Sequence, residues 1–156
     1  MNPAPTPGQT VGPFFSFALV RDGEAELVSP THPDAITLHG RVLDGAGDPV
    51  PDALLELTRG GDDGWGRAAT DDEGRYTFTT LGPVGPFFAI TVFARGLLDR
   101  LFTRAYLPGT ADDPFLQHLE EDRRTTMVAT ADERGYRFDI RLQGDHETVF
   151  LAFPRD

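Results

Sequence analysis

Residues Pro86 to Gly96 read PFFAITVFARG. Phe87, Ala89, Thr91 and Phe93 fall on one side of an extended chain, and Phe88, Ile90, Val92 and Ala94 on the other. Side chains alternate across a strand, so both rows being almost wholly apolar predicts a central strand buried on both faces. The run ends in Arg95-Gly96, an abrupt charge followed by a residue free to turn.

Shorter candidate strands lie on either side. Ile36 to Asp44 (ITLHGRVLD) alternates, and Gly45 to Pro49 is a turn cluster before Ala53 to Thr58 (ALLELT). Arg59 to Trp65 (RGGDDGW) is a Gly/Asp loop with two adjacent carboxylates, which rules it out as a phosphate cradle. Arg75 to Leu81 puts Tyr76 and Phe78 inward, and Leu101 to Tyr106 is another short strand. Asp112-Asp113-Pro114 opens a short helix, PFLQHLEED, because Pro and acidic residues suit a first turn. Thr125 to Thr130, Tyr136 to Leu142 and Thr148 to Phe153 complete the set. The expected fold is all-β: an antiparallel sandwich or open barrel of about seven to eight strands with one short helix. Residues 1–13, Pro-rich and without periodicity, form an N-terminal arm, disordered or laid across another surface, and residues 14–156 a single sandwich domain.

Composition narrows the chemistry. The chain has 156 residues, net charge −11, no Cys, and 14 basic residues that are all Arg. Thiol nucleophiles, Cys-bound metals, Schiff-base lysines and a P-loop Lys are excluded. Nucleic acid is an unsuitable partner for so acidic a protein. No apolar run is long enough for a membrane span, and the N-terminus lacks a secretory pattern, so the expected location is the cytoplasm. The four His (His32, His39, His118 and His146) share no ligand spacing and read as solvated or hydrogen-bonded. The three Tyr read as packed aromatics. Arg95 is the best single candidate for a site. It can grip a carboxylate in bidentate fashion, or make a structural ion pair with an acidic residue; both readings stand at this point. Arg100 and Arg104 lie nearby in sequence.

Three runs together resemble the intradiol ring-cleavage dioxygenases: LHGRVLDGAGDPVPDALLEL (Leu38 to Leu57), TDDEGRYTF (Thr70 to Phe78) and ITVFARG (Ile90 to Gly96). The opening TPGQTVGPFF (Thr6 to Phe15), the FARG sequence (Phe93 to Gly96) and the ending YRFDIRLQGDHETVFLAF (Tyr136 to Phe153) are similar to the alpha subunits of two-chain members. The family's catalytic chains hold a non-haem ferric ion with two Tyr and two His. The His pair belongs in a His-x-His on the central strand, where this chain has Phe87 and Ala89. One Tyr belongs in the turn before it, here Gly82 to Pro86, and the other in a longer segment where this chain has only Arg59 to Trp65. The resemblance therefore implies no metal ligand and no catalytic residue here, with ferric iron bound by a catalytic beta subunit. It implies that Thr10, Gly12 and Pro13 of the Thr-x-Gly-Pro turn, with Arg95, help line a site for a small aromatic carboxylate at the alpha/beta interface. The alternative is a non-catalytic, transthyretin-like sandwich module acting alone.

Overall fold

The computed structural model describes residues 6–12, 14–61, 64–110 and 112–153. Its elements, in chain order, are α1 (Phe15–Leu19), β1 (Ile36–Leu43), β2 (Leu54–Thr58), β3 (Trp65–Ala69), β4 (Arg75–Thr80), β5 (Phe87–Phe93) and β6 (Leu101–Tyr106), then α2 (Pro114–Gln117), α3 (Glu121–Thr125), β7 (Thr130–Asp132), β8 (Gly135–Arg137) and β9 (Ile140–Arg141). One sheet runs β4-β1-β8-β7, with β9 also on β1; the other runs β3-β2-β5-β6. This is the expected all-β sandwich, with nine strands rather than seven or eight and three short helices rather than one among the described residues.

β5 is interior to its sheet, with β2 antiparallel on one side and β6 on the other. Its even-numbered row is core: Phe88, Ile90 and Val92 are at most 1% exposed and pack with Leu38, Val42, Phe78, Phe138 and Ile140. Burying each such side chain fully contributes about 1.5–3 kcal/mol. The odd-numbered row corrects the expectation of burial on both faces. Ala89 is exposed, and Phe87, Thr91 and Phe93 are half-buried, because only one face of this sheet packs against the other sheet. The outer face is covered in patches. Phe15 of α1 packs on Phe93 with ring centroids 5.7 Å apart, and Arg67 pairs with Glu56 at 2.6 Å.

Three further expectations change. Thr125 to Thr130 is not one strand. α3 ends at Thr125 and β7 begins only at Thr130, while Met127 turns into a small second core with Tyr106 and Leu116. Thr148 to Phe153 forms no named strand, because its partners belong to different elements. The Thr103 hydroxyl donates to the Val149 carbonyl, the Leu151 N–H donates to the Phe102 carbonyl, and the Thr148 N–H donates to the Arg141 carbonyl. Tyr136 to Leu142 breaks into β8 and β9, both parallel to β1. At the break the Tyr76 hydroxyl donates to the Phe138 carbonyl, and the Asp139 carboxylate accepts the Arg41 N–H at 3.0 Å. Gly40 makes this possible, since a Cβ there would lie 2.0 Å from the Phe138 oxygen. Burial, and behind it the negative charge of Asp139, pushes the Tyr76 phenol well above its usual range.

The expected helix PFLQHLEED opens as its sequence directs but is cut in two: α2 ends at Gln117, capped at His118, and α3 begins only at Glu121. Pro114 occupies the first turn, and the Asp113 carboxylate caps it by accepting the Phe115 N–H at 2.9 Å. Among the described residues no helix is long and apolar enough to cross a membrane.

Candidate functional site

The turn after β5 is built from Ala94 to Leu97. The Leu97 N–H donates to the Ala94 carbonyl at 3.2 Å, and Gly96 has φ +92°, where a side chain would be strained. This lifts Arg95 out of the sheet edge, with its side chain 48% exposed. Its Nη2 donates to Asp52 Oδ2 at 3.1 Å. The sheet register accounts for the meeting. Leu54 pairs with Phe93, so the residues just before β2 face those just after β5.

The N-terminal segment reaches the same turn. The Gly96 N–H donates to Thr10 Oγ1 at 2.7 Å. Gln9 and Val11 join Leu97, Leu98 and Arg100 around a cleft of about 190 Å³ on one side of the turn. On the other side Arg95, Gly96, Pro51 and Leu142 help line a cleft of about 400 Å³. Gly12 is exposed, and its carbonyl accepts the Phe15 N–H at 3.2 Å, which ties the segment to α1. Pro13 lies outside the described residues. The structure therefore brings Thr10 beside Arg95-Gly96, with Gly96 lying 86 positions further along the chain.

Arg95 and Arg100 line different clefts beside the turn, and Arg104 lines neither. The Arg100 guanidinium lies 4.9 Å from the Phe102 ring centroid. That of Arg104 lies 4.2 Å from Phe87 and 4.8 Å from Phe115, and donates to the Tyr106 hydroxyl at 3.2 Å. Burial raises the Tyr106 phenol, Arg104 opposes this, and Asp113, which accepts the Tyr106 O–H, adds to it. Of the histidines, His39 is 6% exposed, with Nε2 3.0 Å from Asp132 Oδ1. That hydrogen bond holds the Asp132 carboxyl below its usual range. It lies in a separate cleft with Arg41 and Arg134.

The places at which the family's iron ligands are expected do not fit a metal in this chain. Phe87 is packed against Tyr106 with the rings tilted at 58° and centroids 5.3 Å apart, beneath the Arg104 guanidinium, and Ala89 has only a methyl group. Tyr76 and Tyr106 are each committed to a hydrogen bond within the fold. Among the described residues, no three His, Cys, Asp or Glu side chains are grouped to hold a metal ion.

Sequence reasoning passed over Asp52. Asp52 lies between the Gly45 to Pro49 turn cluster and the strand from Ala53, and nothing local signals that its carboxylate meets an arginine 43 residues later.

Residues 37–105 match the carboxypeptidase regulatory-like domain family, a stretch that runs from β1 to β6 and leaves out the arm and the C-terminal third. The chain is 36% identical to the protocatechuate 3,4-dioxygenase alpha chain of Burkholderia cepacia, over 94% of this chain and 96% of that one. It is 34% identical to the Pseudomonas putida alpha chain, over 95% and 96%.

The chain belongs to the protocatechuate 3,4-dioxygenase alpha-chain family.

An alpha chain of this family also has a beta-chain relative. Identity to the Burkholderia cepacia beta chain is 30%, over 74% of this chain and 67% of that one. Among solved structures, the dioxygenase domain of a dioxygenase carbohydrate-binding protein fusion from Streptomyces sp. SirexAA-E superposes with a TM-score of 0.58. It is 22% identical and covers 90% of this alpha chain and 99% of the domain. Catechol 1,2-dioxygenase from Pseudomonas arvilla C-1 superposes with a TM-score of 0.53 at 20% identity, covering 76% and 55%. These two likenesses establish the intradiol dioxygenase fold.

Proposed function

We propose that this chain is the non-iron alpha subunit of a two-chain enzyme. That enzyme inserts dioxygen between the hydroxyl-bearing carbons of protocatechuate, giving 3-carboxy-cis,cis-muconate. A beta subunit holds the ferric iron in this reading, and no step of the oxygen chemistry runs through residues of this chain. The alpha subunit supplies part of the wall: Arg95 for the substrate carboxylate, and Thr10, Gly12 and Pro13 as the edge that meets the beta subunit. The arm, residues 1–13, is the interface segment and the sandwich its scaffold. The cytoplasm is the corresponding location, and the absence of Cys agrees with it.

One observation carries this reading: the hydrogen bond from the Gly96 N–H to Thr10 Oγ1. It joins the Thr-x-Gly-Pro turn to the Arg95-Gly96 turn, the two stretches, distant in sequence, that the resemblance places at the alpha/beta interface. Leu98, 67% accessible, borders the same place and provides apolar surface for a docking chain.

The test is Arg95→Ala in the co-expressed alpha/beta complex. A hydrogen bond to a charged group contributes about 1.5–3 kcal/mol, so KM for protocatechuate rises about tenfold or more. Catechol, which lacks the carboxylate, is affected much less. Equal losses on both substrates would show Arg95 to be a structural ion-pair partner only.

A further inference from the structure

We infer that Asp52 is a positioning residue, setting the Arg95 guanidinium for a substrate carboxylate. This rests on the reading that Arg95 meets that carboxylate. Asp52 has φ +62°, and it is the one non-glycine residue with positive φ among the described residues. Pro51 before it and positive φ at Asp52 make the pattern of a type II turn, where Gly or Asn is the usual occupant. A carboxylate stands there instead, and it meets Arg95 Nη2 at 3.1 Å.

The turn itself is clamped. Buried Thr70 donates its hydroxyl to the Val50 carbonyl at 2.8 Å and accepts the Ala53 N–H at 2.9 Å. The Thr70 N–H donates to the Ala53 carbonyl at 2.9 Å. Both ends of the Asp52 turn are thus held by one buried side chain, and the carboxylate is presented from a rigid mount. On the other side, Arg95 swings from an exposed turn and has a long side chain whose rotamer freedom must be lost on binding. Asp52 engages one terminal nitrogen. Nη2 carries two hydrogens and Asp52 accepts one, so the second Nη2 hydrogen and its neighbour on the far edge of the fork, with no further partner among the described residues, remain available to an incoming carboxylate. A guanidinium held by one edge and open at the other is pre-organised for bidentate capture.

The sign of the effect separates this role from simple charge. A carboxylate that only neutralised Arg95 would weaken substrate binding, and its removal would lower KM. A positioning carboxylate raises KM when removed. Asp52→Gly deletes the side chain and Asp52→Asn keeps its shape without the charge, and both residues accept positive φ, so the turn survives. In the alpha/beta complex, D52G raises KM for protocatechuate about two- to fivefold, as suits a half-exposed ion pair. D52N gives a smaller rise, kcat is unchanged, and catechol kinetics do not move. On an R95A background, D52G adds nothing further, because the two residues act as one unit. A lowered KM, an equal effect on catechol, or full additivity with R95A would overturn the positioning role while leaving Arg95 as the carboxylate ligand. An R95A variant with unchanged KM for protocatechuate would instead remove the reading on which this inference rests.

Discussion

Replacing Thr10 by Val tests whether the N-terminal segment is held to the turn after β5 by the bond that joins them. The two side chains have nearly the same shape, and the change swaps the hydroxyl that accepts the Gly96 N–H at 2.7 Å for a methyl group. Gly96 is in an exposed turn, so water can satisfy its N–H once Thr10 is gone. The cost is then that of an ordinary net hydrogen bond, about 0.5–1.5 kcal/mol, rather than that of a buried orphan donor. This corresponds to about a two- to tenfold shift in the docking equilibrium of the segment. The packing that remains is modest: Gly8 beside Leu98, half-buried Val11, and the Phe15–Phe93 contact. Amide hydrogen exchange measures the result directly. In the wild-type chain the Gly96 amide exchanges slowly; in T10V it accelerates towards the rate of an unbonded amide. The Leu97 amide, bonded to the Ala94 carbonyl within the turn, is the internal control and does not change. In the alpha/beta complex, kcat/KM for the carboxylated substrate falls by a similar factor. Unchanged Gly96 exchange in T10V would show that the segment is not held there in solution, and the argument from that bond would fail.

Two other outcomes follow from the same geometry. The purified chain loaded with ferric iron develops no stoichiometric tyrosinate-to-iron charge-transfer band, because Phe87 and Ala89 stand where two ligands are needed; a strong visible band would refute this. Tyr76→Phe removes the hydroxyl that donates to the Phe138 carbonyl and destabilises the chain by about 1–3 kcal/mol in urea titrations at neutral pH. The Tyr76 phenol is raised in the fold, so its contribution is fully present below the unfolded phenol value of about 10 and is lost as pH rises through the higher folded value. Wild-type stability therefore falls above about pH 10 more steeply than that of Y76F, and parallel alkaline limbs would contradict the assignment.

Much of the fold was legible in sequence because it depends on local alternation. Tyr76, Phe78, Phe88, Ile90 and Val92 are inward in any strand that puts an apolar row on a core, and they are at most 3% exposed. The losses at Phe87 and Ala89 were equally plain, since a missing ligand atom needs no coordinates. Tertiary structure decided matters that depend on what lies across the fold. Whether the Phe87-Ala89-Thr91-Phe93 row is buried depends on a second layer over it, and alternation cannot reveal that layer. β8 and β9 separate because Tyr76 and Gly40, distant in sequence, let Phe138 bend in, while the Asp139 side chain takes over a backbone hydrogen bond. The pairing of Arg95 with Asp52, and of Gly96 with Thr10, is set by sheet register and chain crossing. A single chain of side-chain types determines which residues can bind a carboxylate or a metal. Only the folded register brings a particular carboxylate within 3.1 Å of a particular arginine, because that distance is fixed by backbone paths 43 residues apart.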